Sequence, residues 1–239
     1  MELSTHNPIL IIGAGVGGLS VGTLLVKDGF RIRVFEKSGK LGGRTASMEF
    51  RNHILDNGFH IMPFYKKSAI YYVLKSANII SKLKLAIVDK IAFFDGNFHT
   101  YPKGIGDILK MSLIPLKSRF SLLKILLPMA FTSMEKAEQL DQTPLTEATK
   151  KLDSHSKTFF DAVCMLAFAD TADHVSLGEF ARTIIRANPF KGGTSEFAYP
   201  DMGGYDQISQ VMGNYIQENN SEVNIETPIK KILVKDSHV

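Results

Sequence analysis

Three spaced glycines follow a short apolar run near the start of the sequence. The run Pro8–Ile12 is followed by Gly13, Gly15 and Gly18 in the pattern G-x-G-x-x-G, and residues 19–28 have the apolar spacing of a helix. The apolar run predicts a buried parallel strand. Glycines between a strand and a helix allow a tight turn and close approach to a pyrophosphate, which the helix N-terminus attracts. We therefore predict a dinucleotide site at Gly13, Ala14, Gly15, Val16, Gly17 and Gly18.

A carboxylate follows at the spacing that this chemistry needs. Residues 31–35 alternate like a second strand, and Glu36 comes directly after them, eighteen residues beyond Gly18. A carboxylate at the end of the second strand accepts hydrogen bonds from ribose hydroxyls. It also disfavours a 2′-phosphate, which argues against NADP but does not separate NAD from FAD.

A second glycine pair lies just beyond this acid. Gly42 and Gly43 are followed by Arg44, and Lys37 precedes them directly after Glu36. Two adjacent glycines permit another close backbone approach, and an arginine offers two parallel donors to a phosphate. We predict that these four residues extend the site. An NAD-dependent dehydrogenase would explain the first glycine motif but not this second one.

The rest of the sequence predicts the elements that position these residues. Their order is a βαβ start, a helical middle with one hairpin, and a return to β-α-β, which predicts a nucleotide-binding domain interrupted by a second domain. The predicted elements after residue 36 are a helix over 69–76, a hairpin of 91–94 and 98–101, helical pieces over 104–134 separated by prolines, a helix starting with Thr143 as cap and Pro144 at its first position, helices over 157–168 and 176–187, a loop over 188–200, a helix over 204–218, and strands over 223–225 and 229–234.

Composition excludes several classes of protein. The 239 residues contain one cysteine, so an internal disulfide and a cysteine-based zinc site are excluded. The histidines lack metal-binding spacing, and no G-x-S-x-G segment of a serine hydrolase is present. The net charge of +4 is too small for a typical nucleic-acid binder. The short polar N-terminus has no secretory signal, so we expect a cytoplasmic protein.

The excess of positive charge is concentrated in one segment that is otherwise rich in apolar residues. Residues 104–131 mix lysines and an arginine with many apolar side chains, and Pro115 and Pro128 interrupt them. The charges and prolines argue against a membrane-spanning helix. Three interpretations remain open: a pair of core helices with a solvated rim, a peripheral membrane contact, and, least favoured, a nucleic-acid patch.

The combined motifs resemble the FAD-dependent amine oxidase, protoporphyrinogen oxidase and phytoene desaturase superfamily. The resemblance rests on residues 13–20, on Val34-Phe35-Glu36 and on Leu41-Gly42-Gly43-Arg44. Residues 55–60 are similar to its Asp-x-Gly-x-His segment near the flavin, which implies a cofactor contact at Gly58 and suggests one at His60. Residues 199–205 resemble its Pro-x-Gly-Gly turn, and the resemblance implies that the backbone near Ile229 contacts the adenine.

The resemblance implies an α/β fold, with a Rossmann-like FAD/NAD(P)-binding domain and an inserted, mainly helical substrate domain (α+β). The expected divisions are 1–85 and 199–239 for the FAD-binding domain and 86–198 for the substrate domain. It also implies FAD as cofactor and a small-molecule substrate, either lipophilic (isoprenoid- or porphyrin-like) or an amine, that transfers hydride to the flavin. No catalytic residue is predicted. Because superfamily members continue further, we expect a fragment that lacks their C-terminal part. The alternative is a truncated, non-catalytic nucleotide-binding or membrane-associated protein.

Overall fold

The computed structural model describes residues 7–58, 62–63, 68–88, 91–102, 104–187, 197–201 and 203–234. The chain forms two compact units, Met1–Ile87 with Ala198–Val239, and Val88–Phe197. The second unit is therefore inserted into the sequence of the first. In chain order the elements are β1 (Ile9–Ile12), α1 (Val16–Lys27), β2 (Ile32–Phe35), β3 (Ser47–Phe50), β4 (His53–Asp56), β5 (Met62–Pro63), α2 (Ala69–Ser76), β6 (Leu85–Val88), β7 (Ala92–Phe94), β8 (Phe98–Thr100), α3 (Ile105–Lys110), α4 (Leu116–Phe131), α5 (Met134–Glu138), α6 (Leu145–Thr149), α7 (Ser154–Phe168), α8 (Leu177–Ala187), β9 (Phe197–Pro200), α9 (Asp206–Glu218) and β10 (Glu222–Asn224).

A parallel sheet with helices α1 and α9 packed together forms the centre of the first unit. The strand order is β1-β2-β10, and Ile9 pairs with Ile32 in the parallel register of a βαβ unit. Leu19, Val34 and Met212 are fully buried in the core that these elements enclose. The Rossmann-like α/β fold predicted from the sequence is confirmed, although α1 begins at Val16 rather than Leu19.

Two small sheets complete the described part of the first unit. β3 and β4 form an antiparallel hairpin, and Arg51 and Asn52 turn the chain with φ of 49° and 63°. β5, β9 and β6 form a sheet in the order β5-β9-β6. This hairpin was not predicted from the sequence, because its apolar side chains, such as Met48 and Ile54, are exposed and mark no buried face.

Packed helices and one hairpin form the second unit. Its core includes the fully buried side chains of Leu122, Leu145 and Phe160, and Phe160 lies 5.3 Å from Phe180 between ring centroids. β7 and β8 pair antiparallel, as predicted. The core helix pair with a solvated rim, predicted as one possibility for residues 104–131, accounts for the buried face of α4.

Four predicted helix details in the second unit are wrong. Thr143 does not cap α6, because a Leu145 N–H to Val175 O bond of 2.9 Å and a Pro144–Ser176 bridge keep this segment extended. Pro144 precedes the helix instead of opening it. α7 starts three residues earlier than predicted because Asp153 caps it. The predicted break at Pro128 is absent, because Pro128 lies inside α4. Pro128 has no N–H to donate to the Lys124 carbonyl, but both residues are exposed, so water can reach that carbonyl.

Two predictions near the end of the sequence are also wrong, the strand over 229–234 and the loop over the last residues of 188–200. Residues 229–234 form no strand, and their apolar side chains are exposed, including Leu233 at 67% and Val234 at 68%. Alternating apolar residues form a strand only where a neighbour supplies hydrogen bonds, and among the described residues none pairs here. Within the predicted loop 188–200, Phe197–Pro200 forms β9, and residues 188–196 lie outside the described residues.

Candidate nucleotide-binding site

The first glycine loop is held closely against the strands. Gly13 has a φ of +96°, and its N–H donates to the Phe35 carbonyl at 2.8 Å, which links the ends of β1 and β2. A Cβ added at Gly18 would overlap the carbonyl oxygen of Gly13. Glycine is therefore required at both positions, at Gly13 for the backbone conformation and at Gly18 for the close approach.

The space beside this loop is open. A Cβ at Gly13 or Gly17 would meet no atom within 4 Å, and one at Gly15 would meet only the Gly42 carbonyl oxygen, at 3.9 Å. Gly15 is the N-cap of α1, and neither a side-chain cap nor an acidic residue occupies the first turn. Val16 opens the helix there. The first amides of α1 are thus suited to an anionic group.

The second glycine segment lies directly beside the first. The Gly42 N–H donates to the Ala14 carbonyl at 2.8 Å, and Gly15 and Gly42 form a parallel bridge. Gly42 has a φ of +105°, and a Cβ at Gly43 would lie 3.5 Å from the Gly15 Cα. The structure therefore brings together two segments that the sequence separates by more than twenty residues. The exposed Arg44 follows in a short 3-10 turn, Gly43–Thr45.

Glu36 braces the first loop from within. Its Oε2 accepts from the Ala14 N–H at 2.8 Å, and its Oε1 accepts from the Ser38 N–H and Oγ–H at 2.9 Å each. The side chain is 7% exposed. Burial would raise the pKa of Glu36, but the bonds from Ser38, Ala14 and the Lys37 backbone outweigh it, and the pKa lies below its ordinary value. Oε1 thus accepts both bonds from Ser38, and Oε2 accepts the bond from Ala14.

The returning chain completes the surroundings of Glu36. The Glu36 N–H donates to the Asn224 carbonyl at 2.8 Å, and the Thr227 N–H donates to the Glu36 carbonyl at 2.7 Å. Ile229 follows two residues after Thr227 and is 40% exposed. The predicted strand there is absent, and the contact of the Ile229 backbone with the adenine stays a prediction.

Helix α9 contacts the second glycine segment. Thr45 Oγ1 lies 3.2 Å from Ser209 Oγ, and a Cβ at Gly213 would lie 2.5 Å from Leu41 Cδ1. The roles of Ser38, Asn224 and Ser209 were not predicted from the sequence. A serine two residues after an acid at a strand end is a turn signal for Ser38. The contacts of Ser209 with Thr45 and of Asn224 with Glu36 cross 164 and 188 residues and have no local signal.

Other candidate residues contribute less. Gly58 is exposed two residues after β4, and His60, the other residue suggested to contact the flavin, lies outside the described residues. Cys164 is fully buried, and burial raises the pKa of its thiol to about 12, as expected for a core residue. Among the described residues no group of three or more histidine, cysteine, aspartate or glutamate side chains could hold a metal ion.

Comparison with known proteins supports a nucleotide-binding domain at the start of the chain. The NAD(P)-binding Rossmann-like domain family matches residues 11–76. A 4,4'-diapophytoene desaturase (4,4'-diapolycopene-forming) of Methylomonas sp is 21% identical over 250 residues, which cover 95% of this chain and 48% of the desaturase.

Two solved structures share the fold. An oxidoreductase from Methanosarcina mazei has a TM-score of 0.71 at 22% identity over 96% of this chain and 54% of its own. Wild-type putrescine oxidase bound to putrescine has a TM-score of 0.63 at 15% identity over 92% and 50%. This chain thus spans about half the length of each of the three proteins. The family match assigns a NAD(P)-binding Rossmann-like domain to residues 11–76, and the relatives and solved structures support the resemblance to the FAD-dependent amine oxidase, protoporphyrinogen oxidase and phytoene desaturase superfamily.

Proposed function

We propose that the chain carries the nucleotide-binding part of an FAD-dependent oxidoreductase. The observation that carries this proposal is the contact between the two glycine segments, with Gly42 N–H donating to Ala14 O at 2.8 Å. A single glycine motif serves many nucleotides, whereas two backbone segments held side by side suit one extended dinucleotide.

The residues present fit such a cofactor. Gly13, Gly15 and Gly17 leave the outer side of the first loop open, and the uncapped start of α1 favours a pyrophosphate there. Gly43 and Arg44 would contact the same group from the second segment. When bound, FAD supplies the hydride acceptor, and the protein supplies binding, orientation and electrostatics.

Glu36 selects among nucleotides in this proposal. Its carboxylate would accept from a ribose hydroxyl, and its charge disfavours a 2′-phosphate. Following the superfamily resemblance, the Lys37 and Ile229 backbones would lie on the ribose and adenine side. NADP is therefore the least favoured ligand, and NAD leaves the second glycine segment without a role.

The reaction class that we propose is removal of hydride from a small organic substrate. The Methylomonas relative is named as a desaturase of 4,4'-diapophytoene, and the structurally similar oxidase binds putrescine. A lipophilic isoprenoid- or porphyrin-like substrate and an amine are both compatible with this class. The apolar middle of the sequence favours the lipophilic group.

The visible absorption spectrum of the purified chain tests the proposal. The spectrum is recorded as isolated, and again after FAD addition and desalting, in parallel with NAD⁺ and NADP⁺ titrations. We expect retained flavin bands and weaker binding in Glu36→Ala, with Glu49→Ala, an exposed acid on β3, as the matched control. Binding of NAD⁺ in preference to FAD would contradict the proposal, and tight FAD binding without turnover would favour the non-catalytic alternative.

We also propose that α4 makes a peripheral membrane contact. Leu116, Phe120 and Phe131 are 57%, 53% and 59% exposed on one side of α4, where Lys117 and Lys124 are exposed as well. The helix contains no acidic residue. An exposed apolar stripe flanked by lysines suits anionic headgroups. None of the described helices is long and apolar enough to cross a bilayer.

Vesicle sedimentation tests this contact. The full chain is mixed with vesicles of phosphatidylcholine alone or with added phosphatidylserine. We expect co-sedimentation only with the anionic vesicles, and its loss in Phe120→Ser/Phe131→Ser. The hairpin variant Phe98→Ser, whose ring is 82% exposed on β8, is the matched control. Equal loss in both variants, or equal binding to neutral vesicles, would exclude α4 as the contact.

A further inference from the structure

Helix α9 starts without a local cap. Its N-cap residue is Tyr205, whose side chain makes no capping bond, and the Tyr205 hydroxyl donates instead to the Ala198 carbonyl at 3.0 Å. The start of α9 therefore needs an acceptor from elsewhere in the fold.

Asp56, at the end of β4, supplies that acceptor. Its Oδ1 accepts from the Tyr205 N–H at 2.9 Å, across 149 residues of sequence. The same oxygen accepts from Ser47 Oγ at 2.6 Å, and Ser47 Oγ in turn lies 3.5 Å from the Asp206 N–H that donates to it. One carboxylate oxygen thus joins the β3–β4 hairpin to the first turn of α9.

The backbone is closely packed where Ser47 and Asp56 meet the start of α9. A Cβ added at Gly204 would overlap both Ser47 Oγ and Asp56 Oδ1. Ser47 is 5% exposed, and its carbonyl accepts from Lys40 Nζ at 3.0 Å. The bond between Lys40 and Ser47 therefore joins the two ends of the second glycine segment, since Lys40 precedes that segment and Ser47 follows it.

Segment 41–47 is consequently held between the first glycine loop and α9. Gly42 bonds to Ala14 on one side, and Thr45 contacts Ser209 of α9 on the other. If the start of α9 moves away from Ser47, the segment loses the support that keeps Gly42 against Ala14.

We infer that Asp56 is a positioning residue for the nucleotide site, acting through Ser47 and the start of α9 on the second glycine segment. The inference rests on the proposed FAD binding. The role of the Asp56 side chain is to accept hydrogen bonds, so an amide oxygen at this position serves nearly as well as a carboxylate oxygen.

FAD affinity of four variants tests the inference. Asp56→Ala is expected to raise the Kd for FAD about fivefold, since two donors lose their acceptor. Asp56→Asn keeps the acceptor and is expected to stay within about twofold of wild type. Gly204→Ala, whose Cβ would push Ser47 and Asp56 away from the start of α9, is expected to raise the Kd for FAD as much as Asp56→Ala does. Glu49→Ala, an exposed acid on the same hairpin, is the matched control with no change expected.

A stability-matched variant separates positioning from general destabilisation. Val73→Ala removes two methyl groups from a 5% exposed side chain of α2, in the same core but away from this junction. We expect it to lower the midpoint of urea unfolding and leave the Kd for FAD unchanged. An Asp56→Ala effect no larger than that of Val73→Ala, or an Asp56→Asn effect as large as that of Asp56→Ala, would overturn the inference.

Amide hydrogen exchange keeps this result distinct from the proposed function. In the ligand-free protein, Asp56→Ala is expected to speed exchange at Tyr205 and at Gly42, whose N–H bonds to Ala14. If the wild-type chain binds no FAD, the proposed function fails, yet faster exchange at Gly42 still supports the coupling. Unchanged exchange at Gly42 overturns the inference whatever the chain binds.

Discussion

The two units hold their shape by different means. In the first, short polar contacts and glycines fix the site, as where Glu36 bonds to Ala14 and where Gly18 has no room for a side chain. In the second, aromatic and aliphatic side chains such as Phe160 and Phe180 pack in a helical core. A fixed backbone geometry tolerates almost no substitution, whereas packed volume tolerates side chains of similar size. Sequence motifs therefore locate a site fixed by backbone geometry far better than they locate a packed helical core.

The largest expected effect lies in the second unit. Phe160→Ala empties a fully buried site and is expected to cost about 3–5 kcal/mol of unfolding free energy. Phe160→Leu, which keeps most of the volume, is expected to cost about 1.5 kcal/mol or less. Urea unfolding followed by circular dichroism measures both. Equal costs for the two variants would show that volume does not govern this core.

A glycine pair sharpens the contrast in the first unit. Gly18→Ala forces a Cβ into the Gly13 carbonyl and is expected to cost about 3 kcal/mol. Gly17→Ala, one residue earlier in α1, meets no atom within 4 Å and is expected to stabilise the ligand-free protein by about 0.5–1 kcal/mol. Thermal unfolding of the two variants compares them directly, and tolerance of Gly18→Ala would contradict the close approach.

Glu36 gives the first unit a pH dependence. Because hydrogen bonds hold its pKa below the ordinary value of 4.5, its contribution to stability is complete above 4.5 and is lost as the pH falls through the lower folded-state pKa. Glu36→Gln turns a donor toward the Ala14 or Ser38 amide and is expected to cost about 2 kcal/mol at pH 7. Urea unfolding from pH 7 to pH 3 should therefore show a shallower fall in Glu36→Gln. Parallel pH profiles of the wild-type protein and Glu36→Gln would contradict a stabilising role for the Glu36 carboxylate.

The smallest effect concerns the cap of α7. Asp153 accepts from the Ser156 N–H at 3.1 Å and from Ser118 Oγ at 3.0 Å, which with Ser156 Oγ outweigh desolvation and lower its pKa to about 2. Asp153→Ala is expected to cost about 1 kcal/mol at pH 7. Since the folded-state pKa is depressed, this cost should shrink as the pH falls from 4 toward 2. The matched control is Glu147→Ala, whose exposed ion pair with Lys150 should matter little.

The sequence predicted the parts whose geometry restricts residue type. Gly13, Gly15 and Gly18 with Glu36 located the βαβ unit, and the residues around Gly42 and Gly43 pointed to a second segment of the site. The contact between the two segments came from the structure, because hydrogen bonds between distant backbones leave no mark on composition or periodicity. The same holds for Asp56, whose partner Tyr205 lies 149 residues away.

Local patterns misled where tertiary contacts decided the outcome. Thr143 and Pro144 have the residue types of a helix start, yet the bond from Leu145 to Val175 keeps them extended. The apolar alternation of 229–234 suggested a strand, but pairing requires a neighbour that local sequence does not reveal. Propensity is therefore a weak guide when one long-range hydrogen bond competes with it.

FAD titration of Gly15→Ala tests the central claim most directly. Gly15 has φ of −72° and ψ of 172°, which alanine adopts freely, and a Cβ there would meet protein only at 3.9 Å, so the ligand-free fold should be unchanged. The same Cβ would occupy the open side of the loop where the pyrophosphate is proposed to bind. The account predicts unchanged thermal unfolding without ligand and at least about tenfold weaker FAD binding. Wild-type FAD affinity in Gly15→Ala would contradict the claim that this loop, together with Gly42–Arg44, holds the cofactor.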